Sequence, residues 1–390
     1  MQQRSWPEQA FNFGFFFFSY YGFVGVFAPY VSLYFADIGM TAVQIGILMS
    51  VVQAMRIFGP NLWGWAADRT QKRVQVLRFT AAGALVAFVA VFFSETFAAL
   101  FVVMIVLNLF TSAQGPLSEA LMLSEMKGDL THYGMLRLWG SVGYIVVVMI
   151  TGWILDWYGV GMMPWVGIAL LGLVFFVSLR IKDSPPSPPQ ADKPSMRVLL
   201  RRREIIAFLV SVCLMIAAHT SLYVFFSLYL AQMGYSNIVI GLMWSLGVIA
   251  EIAFFFFQAP IFKQVSVQRL MLFSLAIAVI RFLMVGFGAE SLLLLLIAQV
   301  LHGVTFGAHH SASIMTLQRW FSGPLQARGQ ALFISVSYGL GGTLGGIGFS
   351  AIWDQFGPES VFLAAALVAL GGLFAAALSY RWQPYGRVVR

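Results

Sequence analysis

The chain has 390 residues, of which 60% are hydrophobic and 10% charged, and its mean hydropathy is +0.84. That balance excludes a soluble globular domain and implies a chain built for a lipid bilayer. The formal net charge of +8 does not point to nucleic acid as a partner, because topology alone accounts for how it is distributed.

A membrane-crossing helix needs about 20 consecutive apolar residues. Twelve such stretches are predicted, over 11–36, 42–66, 74–94, 97–126, 136–158, 161–181, 204–233, 239–262, 267–287, 290–320, 325–353 and 359–380. The first follows a polar start, Met1 to Gln9, is longer than a signal-peptide core and lacks a small-residue cleavage pattern, so it is expected to stay in the chain. The loops after spans two, four, six, eight and ten, with the tails, hold the basic residues, among them Arg4, Arg69, Lys72, Arg73, Lys127, Lys193, Arg197, Lys263, Arg387 and Arg390. The alternate loops hold Asp37, Glu95, Asp156, Glu290, Asp354 and Glu359 and no Lys or Arg. Both termini are therefore expected in the cytoplasm.

Between spans six and seven stands "KDSPPSPPQADKP", followed by "RRRE". Proline and polar residues without hydrophobic periodicity cannot pack a core, so 182–203 reads as a cytoplasmic linker between two six-span halves, 1–181 and 204–390. The halves repeat each other. "SLYFADIG" at 32–39 returns as "SLYLAQMG" at 227–234, and at the same offset of 195 Ile45, Gly46, Ser50, Ile57 and Gly134 return as Ile240, Gly241, Ser245, Ile252 and Gly329. A parallel repeat of two six-helix halves is a transporter architecture, with substrate and coupling-ion sites near mid-membrane.

The same offset carries Arg56, in mid-span two, onto Glu251, in mid-span eight. A charge at the bilayer centre costs about 2.5–3.5 kcal/mol on insertion scales, so it faces a cavity or a partner. Such a residue serves either a structural ion pair or a coupling or substrate site. Glu119 and Arg137 lie nine residues either side of Gly128, in the hairpin between spans four and five, and so can pair; Glu251 and Arg281 are similarly placed in spans eight and nine. His219 lies in span seven, and His302, His309 and His310 in span ten, where 302 and 309 are two α-helical turns apart on one face. Each is either a packing histidine or a functional one, and the depth of His302 favours it for function.

Other chemistries find no support. The single cysteine, Cys213, cannot form an intrachain disulfide and sits inside a span. No Cys cluster or Glu-x-x-His pattern suggests a metal, and no Gly-x-x-x-x-Gly-Lys-Ser/Thr suggests ATP. No cofactor is expected, and protons would be the coupling ion. "GLGGTLGGIG" at 339–348 is expected to let helices approach closely. Nothing demands an oligomer, so function as a monomer is expected.

"GWAADRTQKR" after span two, with Gly64, Asp68, Arg69, Lys72 and Arg73, resembles the G-x-x-x-D-[RK]-x-x-[RK]-[RK] signature of the major facilitator superfamily. The resemblance implies an all-α fold of twelve spans in two pseudo-symmetric halves, with these residues in a cytoplasmic gate that rearranges during alternating access. The second half departs from it, with Lys263 where the aspartate would recur. "SEALMLSEMK" and "YGMLRLWGSVGY" are similar to the lactose permease branch and, over most of the chain, to the phenylpropionate permease group. That resemblance implies Glu119 as a substrate-binding glutamate, Arg137 as its paired arginine and Tyr144 at the position of a ring-stacking tryptophan. It also matches Glu251, Arg281 and His302 to mid-membrane functional positions, and implies a bacterial inner membrane. Two positions depart from the lactose permease pattern. Gln299 stands where that pattern has a lysine and Thr305 where it has a proton-carrying glutamate, so a proton role would fall to Glu251, Glu119 or His302.

Arg56, Arg137 and Arg281 against Glu119 and Glu251 leave one positive charge before histidine protonation, room for an anion, and arginine's planar fork suits a carboxylate. Tyr20, Tyr30, Tyr34 and Tyr144 are candidates to hold a ring, while the run Phe15 to Phe18 is expected mostly to meet lipid. The expected function is proton-coupled import of a small organic monocarboxylate such as a phenylpropionate-like aromatic acid. Arg137 with Arg281 or Arg56 would take the carboxylate, and Glu251 and His302 would couple the proton. A sugar or nucleoside symporter, a proton-driven drug exporter and a non-transporting membrane sensor are the alternatives.

Overall fold

The computed structural model describes residues 6–126, 132–182, 199–322 and 325–383, and the side chains of all of these but 6–8 and 327. Gly128, most of the proline-rich linker and the basic residues Arg4, Lys127, Lys193, Arg197, Arg387 and Arg390 lie outside them. The described residues are helical throughout their regular structure, with no strand.

Among the described residues, twelve helices are long and apolar enough to cross a membrane: Gln9–Asp37, Ala42–Thr70, Arg73–Phe93, Phe97–Glu125, Tyr133–Tyr158, Val160–Ser178, Arg203–Gln232, Asn237–Gln264, Val267–Gly288, Leu292–Trp320, Arg328–Phe356 and Pro358–Trp382, called here spans one to twelve. Span two outruns its apolar text by a turn. The helix continues through Asp68 and Arg69 until Gln71 adopts a left-handed conformation, φ 56°, and its backbone N–H closes on Ala67 O. Gly64, Asp68 and Arg69 therefore sit in helix rather than loop.

The sequence repeat is also a structural one. Displaced by 195 positions, Ala42, Phe97 and Glu125 fall on Asn237, Leu292 and Trp320, each an observed helix end. The two glycines closing the repeated octapeptides have the same role: Gly39 and Gly234 hold φ of 86° and 85°, a region open to glycine at little cost. At the first, Gly39 N–H bonds Ala36 O and Met40 N–H bonds Phe35 O, the paired closure that satisfies the last carbonyls of a helix.

Two compact units result, Met1–Pro189 with Gly234–Ser245, and Gln190–Met233 with Leu246–Arg390. The sequence boundary between spans six and seven is thus crossed by one short piece, the start of span eight. Asp156 explains its placement in the first unit. The carboxylate accepts hydrogen bonds from the backbone N–H of Asn237 (2.7 Å) and Ile238 (3.0 Å) and from the Asn237 side chain (2.9 Å), so it serves donors that an N-terminal helical turn leaves open.

Span one packs centrally in the first unit. Phe16 and Phe17 are wholly buried there, together with Phe13, which corrects the expectation that the run Phe15 to Phe18 mostly meets lipid: a helix enclosed by its neighbours buries more than one face. Span five reaches span one through Gly143, which lies on the backbone of Phe18. In the second unit Gly341 and Gly345 of span eleven lie on the carbonyls of Cys213 and Ala217 in span seven. Phe18 and Cys213 are 195 apart, so spans one and seven are approached at equivalent residues, by glycines that lie 198 apart. The glycine-rich run does bring two helices together, as small residues allow.

Candidate substrate and coupling sites

In the first unit, Glu119 lies six residues before the end of span four, and span five begins with Tyr133 and reaches Arg137 four residues later on the same helix face. The Tyr133 hydroxyl donates to Glu119 Oε1. Arg137 Nη1 donates to the hydroxyl of Tyr21 at 2.9 Å, and its guanidinium lies 5.5 and 5.3 Å from the ring centres of Phe17 and Tyr21. Arg137 and Glu119 approach only to 3.8 Å, with side chains 34% and 31% exposed. The expected pair forms, but loosely.

The other first-unit candidates are placed differently. Arg56 is exposed in span two and within electrostatic reach of Tyr20. The Tyr20 hydroxyl donates to Thr111 O at 3.2 Å, and its ring meets that of Tyr21 edge-on at 5.1 Å. Tyr144 is buried in span five, and Tyr34 is half-buried. Tyr30 corrects the expectation made for it. Its side chain is fully buried and its hydroxyl is taken up by the backbone carbonyls of Val148 (2.9 Å) and Asn237 (3.1 Å), which leaves nothing to present to a ligand.

In the second unit the expected partner of Glu251 is replaced. Glu251 Oε1 lies 2.7 Å from His302 Nε2, while Arg281 turns to neutral oxygens. Its Nε donates to Ala298 O (2.7 Å), one terminal nitrogen to Thr305 Oγ1 (3.2 Å) and the other to Gln299 Oε1 (3.2 Å). The side chain is 1% exposed. Gln299 and Thr305 are the two positions that depart from the lactose permease pattern, and here they solvate a buried guanidinium.

Span ten also departs from α-helical periodicity. Residues Gly303–Ala308 form a π-helix, as do Leu222–Phe226 in span seven and Ser335–Gly341 in span eleven. Each π residue turns the helix less than an α residue does, so the face shared by His302 and His309 in an ideal helix is lost. His302, Phe306 and His310 stack instead, with ring centres 5.4 and 6.1 Å apart and interplanar angles of 15° and 11°. His219 completes the cluster, its ring 5.8 Å from His302 and edge-on to Phe282 at 5.4 Å. One ring nitrogen on each of His219, His302, His309 and His310 is buried without a hydrogen-bond partner among the described residues. Sequence signals the histidines, but nothing local signals the π segments, which cluster at functional sites in general.

The residues expected to form a gate lie together at the end of span two and the start of span three. Asp68 and Lys72 are exposed, the Arg69 guanidinium lies 5.5 Å from the Trp65 ring centre, and Arg73 opens span three. A side chain on Gly64 would meet open space within its own unit. Tyr21 and Tyr133 were missed by sequence reasoning. The spacing of Tyr133 four residues before Arg137 was the one available signal.

Twelve membrane-crossing helices in a repeated six-span plan, with charges held in mid-span, define a secondary transporter. The chain belongs to the MFS_1 like family, whose model matches residues 11–364. A protein of Escherichia coli (strain K12) named "Probable 3-phenylpropionic acid transporter" is 30% identical over 362 residues, covering 92% of this chain and 94% of that one. Maltose permease of Geobacillus stearothermophilus is 27% identical over 332 residues, or 84% and 83% of the two chains. The crystal structure of the nucleoside transporter NupG superposes with a TM-score of 0.84 at 17% identity, over 96% of this chain and 99% of that one, a likeness of fold. These are transporters and not enzymes. The chain is an integral membrane protein that moves a small-molecule substrate across a lipid bilayer.

Proposed function

We propose that the protein is a proton-coupled symporter importing a small organic monocarboxylate, a phenylpropionate-like aromatic acid, by alternating access. The observation that carries this reading is the contrast between Arg137, open and loosely paired, and Arg281, enclosed by neutral acceptors. Arginine's planar donor edge suits a carboxylate, and Arg137 is the arginine with that edge to offer. Tyr21, Phe17 and Tyr20 supply aromatic surface beside it, with Arg56 and Tyr144 as further contacts and Glu119 as the charge the substrate displaces. The relative named for 3-phenylpropionic acid supports the same substrate class.

Glu251 and His302, a carboxylate and an imidazole 2.7 Å apart, would share and release the coupling proton, with no other cofactor. The halves 1–181 and 204–390, joined by 182–203, would be the moving bodies. Gly64, Asp68, Arg69, Lys72 and Arg73 would form a cytoplasmic gate in a monomer of the bacterial inner membrane with both termini inside. The test is uptake of labelled 3-phenylpropionate into proteoliposomes under an imposed pH gradient or an imposed voltage. One proton with one monocarboxylate is electroneutral, so the pH gradient alone should drive accumulation, at about 1.36 kcal/mol per pH unit. Accumulation under voltage as well overturns 1:1 coupling. No uptake of the acid, with uptake of a nucleoside or sugar, favours the second reading, which the nucleoside and maltose relatives support.

A further inference from the structure

A half-buried arginine and glutamate on adjacent helices ordinarily close into a bidentate contact near 2.7–2.9 Å. Arg137 and Glu119 do not: their nearest atoms stand 3.8 Å apart, beyond hydrogen-bond distance. Each is held by a tyrosine. The Tyr133 hydroxyl donates to Glu119 Oε1, and Tyr21 accepts from Arg137 Nη1. The faces of Phe17 and Tyr21 further steady the guanidinium. Among the described residues Nε and Nη2 of Arg137 donate to nothing, and these two form one edge of the fork.

We propose that Tyr133 is a positioning residue that holds the carboxylate of Glu119 away from Arg137 and so keeps the Nε/Nη2 edge of the guanidinium open to an incoming carboxylate. Position supports the role. Tyr133 is the first residue of span five and precedes Arg137 by four residues, so the two project from one helix face and the phenol reaches the glutamate from the arginine's own helix. Without the phenol, Glu119 loses its donor and has the guanidinium within a short side-chain movement. An internal carboxylate would then compete with the substrate for the same fork. The inference rests on the reading of Arg137 as the anion-binding residue.

The experiment uses the full-length protein in detergent and reads two quantities. The rate at which phenylglyoxal modifies Arg137, followed by peptide mass spectrometry with the other arginines as internal controls, reports how open the guanidinium is, whatever the cargo. Binding of labelled 3-phenylpropionate reports the consequence. Tyr133→Phe should slow modification of Arg137 about fivefold and weaken 3-phenylpropionate binding by a similar factor, the size of one hydrogen bond. Tyr133→Phe combined with Glu119→Gln should restore the modification rate to within about twofold of the wild type, because the amide no longer competes as a charge. Glu119→Gln alone should leave Arg137 at least as reactive as in the wild type, which gives a reading should the tyrosine variant fold poorly.

Unchanged modification in Tyr133→Phe overturns the proposal, as does slowing that Glu119→Gln fails to relieve, since Tyr133 would then act by packing or by touching the ligand. If the modification pattern appears but no variant binds 3-phenylpropionate, the positioning role stands and the cargo reading fails. Binding of the acid with a flat modification pattern separates the opposite case.

Discussion

Arg137 of the first unit and Arg281 of the second both lie within a span, and the two are held in opposite ways. Arg281 is enclosed, its donors directed to a backbone carbonyl, an amide and a hydroxyl. Arg137 is one-third exposed, cushioned on aromatic rings and anchored through one nitrogen. A guanidinium surrounded by apolar helices needs oxygen acceptors. Where the protein supplies them all, the charge becomes part of the fold, and where it withholds some, the charge is left for a ligand. The surroundings differ to match: the first-unit site stands on regular α-helix, while the second-unit cluster stands on three π-helical segments and buried histidines.

The comparison breaks most readily at the coupling pair. Glu251→Gln keeps a hydrogen-bonding partner for His302 but removes the titrating group, so pH-driven accumulation should vanish while substrate exchange across the membrane persists. Continued accumulation in a proteoliposome assay would remove Glu251 from coupling. Arg137→Ala should weaken 3-phenylpropionate binding about 100-fold, roughly 2.8 kcal/mol, in a protein that still folds. Equilibrium binding to the purified variant checks this, and unchanged affinity would place the anion elsewhere.

Arg281→Met should do the reverse. It strands acceptors at Ala298, Gln299 and Thr305 and should cost about 2–4 kcal/mol of stability, seen as a lower melting temperature, with affinity of the folded fraction within about twofold. A large loss of affinity without loss of stability would make Arg281 a ligand-binding residue and erase the contrast. The smallest effect is expected at Tyr30→Phe, about 1 kcal/mol of stability from the lost hydroxyl bonds to backbone, with transport unchanged in the same uptake assay.

How much of this was legible varies with the range of the interaction. The octapeptide repeat is local text, and its final glycine ends a helix in the left-handed region in both copies. Helix ends at matching offsets follow from it. The pairing of Glu119 with Arg137 followed from their equal distance from a hairpin. Its looseness did not, because it depends on Tyr21 of span one, 116 residues from Arg137. The expected contact of Glu251 with Arg281 failed for a related reason. Their depths matched, yet His302 lies nearer the carboxylate, and Gln299 and Thr305, marked in the sequence only as departures from a pattern, satisfy the arginine. His302 and His309 share a face in an ideal α-helix, and the π segment between them sets His310 in the ring stack instead.

Sequence by itself determined the bilayer setting, the twelve spans, the duplication and the residues that carry charge in the membrane, because hydrophobic length, periodicity and the cost of intramembrane charge are properties of short stretches. Only the tertiary structure decided which oxygen each charge meets, which arginine stays open and which tyrosines stand between partners. Those outcomes turn on ångström differences between side chains brought together from separate helices, where a hydrogen bond at 2.7 Å forms and a contact at 3.8 Å does not.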